Sequence, residues 1–205
     1  VVSSNRLEDY QLLLSQTNAQ LLVVSQDAFQ KLSMTETTQG ILAVVEIVKQ
    51  EALPQNGRII VLDAIQDPGN LGTIVRTADA AGFDAVILGT GTVDLYNDKV
   101  LRSMQGSHFH IPVFQANLQE YLPFLKSKGV QVAVTALHRD SKDYTVLQGV
   151  TDVAIVVGNE GQGVSSDVIS LADVVITIPM FGKAESLNVA IASALLMYKT
   201  KETKE

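Results

Sequence analysis

From residue 58 onward, apolar runs of strand length recur at 59–62, 85–88, 132–135, 153–157 and 174–178. They carry no polar alternation, which is the pattern of strands buried on both faces of a sheet. Stretches with helical periodicity accompany them, at about 70–81, 97–105, 117–128, 165–171 and 187–200. Strand and helix in repeated alternation predict an α/β fold built on a parallel sheet. The helix after Asp67-Pro68-Gly69-Asn70 gathers Leu71, Ile74, Val75 and Ala78 on one stripe and turns Arg76 away from it. Arg76 is therefore expected to face solvent, ligand or partner.

The last helix has Leu187, Ala190, Ile191, Ala194, Leu195 and Tyr198 on one face and Val189, Ala192, Leu196 and Met197 on the other. A helix apolar nearly all round must be covered on both sides. One side packs on the sheet. A second subunit or more of the same chain covers the other, and a homodimer through this C-terminal helix is the expectation.

Residues 1–53 carry a weaker pattern: a helical stretch over 7–14, a strand at 21–24, a helix capped near Ser25 and a strand at 41–45. That is thin for an independent domain. Periodicity is then lost in Ala52-Leu53-Pro54-Gln55-Asn56-Gly57, a cluster of turn formers. This predicts a first domain over 1–53, a linker over 54–57 and a main domain over 58–205. The chain begins with Val1 and shows no signal peptide, so a fragment lacking N-terminal sequence is expected.

Composition narrows the function. The chain has 205 residues, 46% of them apolar, enough for one substantial core. No apolar run approaches the roughly 20 residues that span a bilayer, so no membrane role is expected. With no Cys there is no disulfide framework, thiolate nucleophile or Cys-based metal site, which suits a reducing cytoplasm. His108, His110 and His138 lack zinc-motif spacing, and no metal is expected. The net charge of −7 argues against a uniformly basic nucleic-acid binder. Arg76, Lys99, Arg102, Lys126, Lys128, Arg139, Lys142 and Lys183 either share one surface or belong to a mixed, solvated one.

The run at 153–157 leads into Gly158-Asn159-Glu160-Gly161-Gln162-Gly163, where glycines permit positive φ and close approach of backbone to a ligand. Gly89-Thr90-Gly91 has the same general use. Neither completes a GxGxxG fingerprint, and no GxxxxGK[ST] loop occurs, so dehydrogenase and P-loop readings are weak. Taken locally, a glycine turn after a strand is only a turn. Likewise Asn70 makes a good helix N-cap, Ser186 or Asn188 caps the last helix, and Glu160 anchors a helix end or a basic neighbour.

Three segments acquire meaning from their order and spacing. Asn70-Leu71-Gly72-Thr73-Ile74-Val75-Arg76, Gly158-Asn159-Glu160-Gly161-Gln162-Gly163-Val164-Ser165, and Ile178-Pro179-Met180 with Ser186-Leu187-Asn188-Val189 resemble the three motifs of the SpoU (TrmH-like) branch of the SPOUT RNA methyltransferases. The resemblance covers about 58–200. It extends to Lys99-Val100-Leu101-Arg102-Ser103 ahead of Gly106 and to His110-Ile111-Pro112-Val113. Residues 1–53 resemble the C-terminal part of the L30e-like α/β substrate-binding domain that often precedes this catalytic domain.

The resemblance implies a SPOUT-type parallel sheet with helices on both faces and a C-terminal trefoil knot, a rare exception to ordinary chain connections. It implies S-adenosylmethionine bent within the knot near Gly158, Ile178 and Leu187, with Thr135, Ala136, Leu137, Asn159, Gly161 and Met180 around it. It also implies homodimers built through the last helix. The reaction implied is methyl transfer to a ribose 2′-hydroxyl of structured RNA, with ribosomal RNA placed ahead of transfer RNA by analogy.

Carried over residue by residue, the resemblance makes Arg76 the principal catalytic residue. Asn70 orients Arg76 or the ribose, Glu160 fixes the arginine or the loop, and Ser186 with Asn188 shapes the pocket. The family proposal casts the arginine as general base. A guanidinium with a reference pKa of about 12.5–13.8 is ordinarily protonated, so a role on developing alkoxide or a flanking phosphate is the expectation. Ser186 as covalent nucleophile is disfavoured, since no triad is recognisable and a sulfonium needs no covalent intermediate. Ala190 departs from the pattern, many relatives having Ser after SLNV. Two other readings compete: a noncatalytic knotted RNA-binding or ribosome-assembly protein, and a small-molecule α/β enzyme using another nucleotide.

Overall fold

The structure, a computed structural model, describes residues 1–33, 35–47, 52–137 and 140–203. The chain divides into two compact units, Val1–Lys49 and Gln50–Glu205. In the first, β1 (Val2–Ser3) and β2 (Val23–Val24) pair in parallel. The helix expected over 7–14 is replaced by two 3-10 turns, Ser4–Arg6 and Glu8–Tyr10, and one short helix, α1 (Gln11–Leu14). α2 (Gln26–Leu32) starts at the expected cap, where the Ser25 hydroxyl accepts from the Ala28 N–H.

The strand expected over 41–45 does not form. Ile41 makes a single antiparallel bridge to Val2, and Val44 and Val45 are 87% and 67% exposed. β-branched residues favour a strand only where a partner strand and a buried face receive them.

The second unit runs β3 (Arg58–Asp63), α3 (Pro68–Ala80), β4 (Ala85–Leu88), α4 (Asp98–Met104), β5 (Val113–Gln115), α5 (Leu118–Ser127), β6 (Gln131–Thr135), β7 (Lys142–Asp143), β8 (Val153–Gly158), α6 (Ser166–Ile169), β9 (Val174–Thr177) and α7 (Val189–Lys199). The strands form one sheet in the order β5-β4-β3-β8-β6-β9-β7, and every pairing is parallel. The predicted α/β class and parallel sheet are therefore present. β5 and β7 were not legible in the apolar pattern because they are short edge strands, both residues of β7 exposed.

Alternation along each buried strand divides the core between the two faces of the sheet. Ile59, Val61, Ile87, Val134 and Val156 pack with Leu118, Leu122 and Leu125 of α5. Ile60, Leu62, Val86, Ile155 and Val157 pack with Leu71, Ile74 and Val75 of α3, Met104 of α4 and Met197 of α7. Burying each such side chain stabilises the fold by about 1.5–3 kcal/mol before chain entropy is subtracted. The close approach of α3 to α4 depends on Gly72, where an added Cβ would lie 2.8 Å from the Val100 carbonyl oxygen.

Several boundaries differ from expectation for local reasons. α3 starts earlier because Asp67, not Asn70, is its N-cap: the Asp67 carboxylate accepts from the Asn70 N–H at 2.8 Å, with Pro68 in the first helical turn. The expected helix over 165–171 is the single turn α6. α7 begins at Val189 because the Asn188 side-chain oxygen caps it, accepting from the Ala190 and Ile191 N–H groups. The 54–57 segment is bonded into the second unit: Tyr121 donates to the Pro54 carbonyl at 2.8 Å, and the Gly57 N–H donates to Asp152 at 2.9 Å.

Candidate active site

A cavity of about 660 Å³ opens at the carboxyl ends of β6, β8 and β9. Crevices at this end of an open parallel sheet are where such folds bind ligands, and the volume suits a small-molecule cofactor. The first wall is Thr135, the last residue of β6, with Ala136 and Leu137 after it. The second is the glycine-rich turn after β8, the third is Ile178 and Met180 after β9, and Glu185 to Val189 close it ahead of α7. All the residues expected around a cofactor line this one space: Thr135, Ala136, Leu137, Gly158, Asn159, Gly161, Ile178, Met180 and Leu187. Glu160, Ser186 and Asn188 line it as well, as do Gln162 and Gly163 of the same turn, and Thr177 and Glu185, which sequence reasoning did not single out.

The turn after β8 is pinned around Asn159. Its backbone exchanges hydrogen bonds with Gly163 at 3.0 and 2.9 Å. Its side-chain oxygen accepts from the N–H groups of Gly161 and Gln162 at 2.9 and 3.1 Å, and its amide donates to the Ala64 carbonyl at 2.9 Å. Asn159 therefore builds the cavity wall. Ala64 holds an uncommon φ of 57° in presenting that carbonyl, a strain of the kind found beside functional sites. Gly158 admits no side chain, since a Cβ there would sit 2.1 Å from the Val164 nitrogen and 2.2 Å from the Gly163 carbonyl carbon.

Glu160 leaves this turn toward the start of α3. Its carboxylate accepts from the N–H groups of Gln66 and Asp67 at 3.3 and 3.2 Å and from the Asn70 amide at 2.9 Å. Partial burial pushes the carboxyl up, but the hydrogen bonds from Asn70 and from backbone N–H groups outweigh it and hold Glu160 below its ordinary value. The Asn70 side-chain oxygen accepts from the Asn188 amide at 2.9 Å. Three residues far apart in sequence are thus joined, and Glu160 fixes the loop before α3 rather than Arg76.

Arg76 stands apart. It is exposed on α3, does not line the cavity, and makes no hydrogen bond or ion pair among the described residues. Ser186 is an exposed cavity-lining residue that likewise makes no hydrogen bond among the described residues.

The basic residues do not form one surface. Lys99 lies 3.7 Å from Asp67, Arg102 2.7 Å from Asp98 and Lys126 2.9 Å from Asp173. Lys126 and Lys128 lie on or just after α5, which packs on the opposite face of the sheet from α3 and α4. Lys142 and Lys183 are exposed. Arg139 and His138 lie outside the described residues. His110 is 3.0 Å from Asp79, whose carboxyl is held low by that contact, and no cluster of three or more metal-binding side chains occurs among the described residues.

Comparison with known proteins agrees with this geometry. Residues 57–198 match the SpoU rRNA Methylase family. The chain is 48% identical over 183 residues to the 23S rRNA (guanosine(2553)-2′-O)-methyltransferase RlmP of Bacillus subtilis, covering 89% of this chain and 73% of that protein. It superposes on an AdoMet-bound rRNA methyltransferase from Sinorhizobium meliloti with a TM-score of 0.84 and 30% identity, covering 98% of this chain and 78% of that one. The SpoU methyltransferase AviRb from Streptomyces viridochromogenes, in complex with AdoMet, shares the fold with a TM-score of 0.83 at 24% identity, over 97% of this chain and 79% of that one. Because the family match runs through every residue that lines the cavity, the chain belongs to the SpoU rRNA methylase family.

Proposed function

We infer that this protein transfers a methyl group from S-adenosylmethionine to a ribose 2′-hydroxyl of RNA, with ribosomal RNA as the substrate. The observation that carries the reading is the cavity at the ends of β6, β8 and β9, bordered by the linked side chains of Glu160, Asn70 and Asn188. The 23S rRNA methyltransferase relative supports the choice of ribosomal RNA over transfer RNA.

The residues present fit the cofactor. Among the described residues, the backbone over 179–187 makes no hydrogen bond, so its N–H and C=O groups along the cavity are free for a ligand. A Cβ on Gly163 would meet nothing within 4 Å, so glycine leaves that edge of the space open. Thr135, Leu137, Gly161, Ile178, Met180 and Leu187 would hold the cofactor's two ends. When bound, the cofactor supplies an electrophilic methyl on a sulfonium, which makes a covalent enzyme intermediate unnecessary.

The chain's own contribution is alignment and charge. Asn70 and Asn188, locked by Glu160, would hold the rim against which the ribose is positioned, and Ser186 would complete it. Arg76, which pairs with no described residue, would stabilise the developing alkoxide or an adjoining phosphate, with the hydroxyl proton leaving to phosphate or water.

The remaining organisation follows the same reading. Residues 1–53 act as a partial L30e-like RNA-binding domain and 58–205 as the catalytic domain, with 54–57 a linker held against the second unit through Pro54 and Gly57. The C-terminal segment forms the trefoil knot, which stretching the chain between its ends would reveal as a shortfall in contour length. The protein works as a homodimer through α7, whose Ile191, Leu195 and Tyr198 are exposed. It acts in the cytoplasm, where ribosomal RNA is; no described helix is long and apolar enough to cross a membrane.

The test is methyl transfer from labelled S-adenosylmethionine to RNA lacking its own modifications, with the wild-type chain and Arg76→Ala side by side. Label in 2′-O-methylnucleosides that disappears with Arg76→Ala is the expected result. No label, despite measured binding of cofactor and RNA, would favour the noncatalytic RNA-binding alternative.

A further inference from the structure

We propose that Phe181 is a stacking platform for a base of the substrate RNA and that Lys183 holds the adjoining phosphate. The proposal rests on the RNA methyltransfer reading and names the part of the site that receives the substrate nucleotide beside the cofactor space. Its starting point is the 181–185 loop. Met180 and Glu185, at its two ends, both line the cavity, whereas Phe181 and Lys183 do not. The loop therefore spans the cavity's rim and carries these two side chains outside it.

Phe181 is 95% exposed, more than any other large apolar side chain described in the chain. It makes no ring or cation–π contact among the described residues. The cavity already has an apolar lining in Val157, Ile169, Ile176 and Ile178, so Phe181 is not needed there. The loop also stands clear of the protein: a Cβ on Gly182 would meet nothing within 4 Å.

Lys183 is exposed and makes no hydrogen bond or ion pair among the described residues, whereas Lys99, Arg102 and Lys126 are each neutralised by an aspartate. In a chain of net charge −7, an unneutralised cation two residues from an exposed aromatic ring is a specific local arrangement. Aromatic rings that stack on bases, with cations that track the backbone, are how proteins hold unpaired nucleotides, and stacking tolerates any base. A ribose offered to the cavity must come from such a nucleotide, because its base has to leave the rim free for the hydroxyl.

The chain has no tryptophan, so Phe181→Trp places a single fluorescent ring at this position. Unmodified ribosomal RNA is expected to quench its emission in a saturable manner, and S-adenosylmethionine alone to leave it unchanged. Phe181→Ala is expected to raise the KM for RNA about tenfold with cofactor affinity unchanged, and Phe181→Trp to restore it. Lys183→Ala is expected to raise the RNA KM and flatten its salt dependence. Quenching by the cofactor rather than RNA would overturn the proposal in favour of a lid over the cofactor, and an RNA KM unchanged in Phe181→Ala would overturn it outright. Quenching by RNA with no methyl transfer by the wild type would leave the stacking site standing and remove the catalytic reading instead.

Discussion

The side-chain amide of Asn188 donates to the side-chain oxygen of Asn70 at 2.9 Å, across 118 positions of sequence. Asn70 passes the connection on to Glu160, and Glu160 to the backbone of Gln66 and Asp67. The start of α7, the start of α3 and the turn after β8 are thereby fixed relative to one another. Each residue has both a donor and an acceptor duty or a purely acceptor one, so small substitutions separate their roles.

Asn70→Asp preserves shape but removes the amide donor and sets one carboxylate against another. Like charges at hydrogen-bond distance repel, and the Glu160 clasp loosens. Methyl transfer is expected to fall at least tenfold, in rough terms, with a loss of stability of about 1 kcal/mol, limited by the exposure of the pair. Calorimetry and the labelled transfer assay check this. Unchanged turnover would show that the Asn188–Asn70–Glu160 connection is not what holds the rim.

Gly158 and Gly163 sit in the same turn but predict different outcomes. A Cβ on Gly158 meets backbone at 2.1 Å, which no rotamer can relieve, so Gly158→Ala is expected to distort the turn and abolish cofactor binding. Gly163→Ala meets nothing within 4 Å and carries only the strain of φ +72°, about 1–2 kcal/mol. Calorimetric titration with S-adenosylmethionine distinguishes them: binding lost in the first and weakened in the second.

The contrast explains what the sequence made legible. Unbroken apolar runs such as Val153 to Val157 report burial on both faces, and so the central strands and the parallel class were readable residue by residue. β7 was not, because Lys142 and Asp143 pair at an exposed edge and bury nothing. The motif spacing brought the expected cofactor residues into one cavity. It gave no warning that Asp67 would take over the α3 cap, which frees the Asn70 side chain for Glu160 and Asn188. The Asn70–Glu160 contact joins segments 90 residues apart and is beyond any local rule, but the cap itself is not. The signal was present in Asp67-Pro68, since proline in the first helical turn places the cap just before it.

α7 makes a prediction about assembly. Its Ala190, Leu196 and Met197 are buried, while Ile191, Leu195 and Tyr198 on the other side are 54%, 41% and 52% exposed. Leu195→Glu is expected to convert a dimer to a monomer in analytical ultracentrifugation while the thermal midpoint of the chain itself moves little. A wild-type chain that sediments as a monomer at micromolar concentration would remove α7 as a dimer interface.

Arg76 separates stability from function. Because it makes no hydrogen bond or ion pair among the described residues, Arg76→Ala is expected to keep the wild-type melting temperature while methyl transfer drops about 100-fold or more, the scale seen when a group that stabilises developing negative charge is removed. Arg76→Lys keeps the charge but not the planar fork. Intermediate activity with an unchanged pH profile would mark a simple charge effect; full activity would count against any role for the guanidinium geometry.

Glu160 supplies a pH test of the same clasp. Its carboxyl is held below the ordinary value of 4.5, so the folded state binds its proton less readily than the unfolded state does. The sign follows: the stability contributed by the ionised group is fully present above about pH 4.5 and is lost as pH falls through the depressed folded value. Glu160→Gln has no such titration, and its amide nitrogen, standing in for one carboxylate oxygen, turns a donor either toward the Gln66 N–H or toward the N–H groups of Asp67 and the Asn70 side chain. The denaturation midpoints of wild type and Glu160→Gln are therefore expected to differ by a constant amount from neutral pH down to about 4.5 and to converge below it. Urea titrations between pH 7 and pH 3 measure the gap, and a difference that persists undiminished at pH 3 would mean that Glu160 acts through its shape and not through its charge.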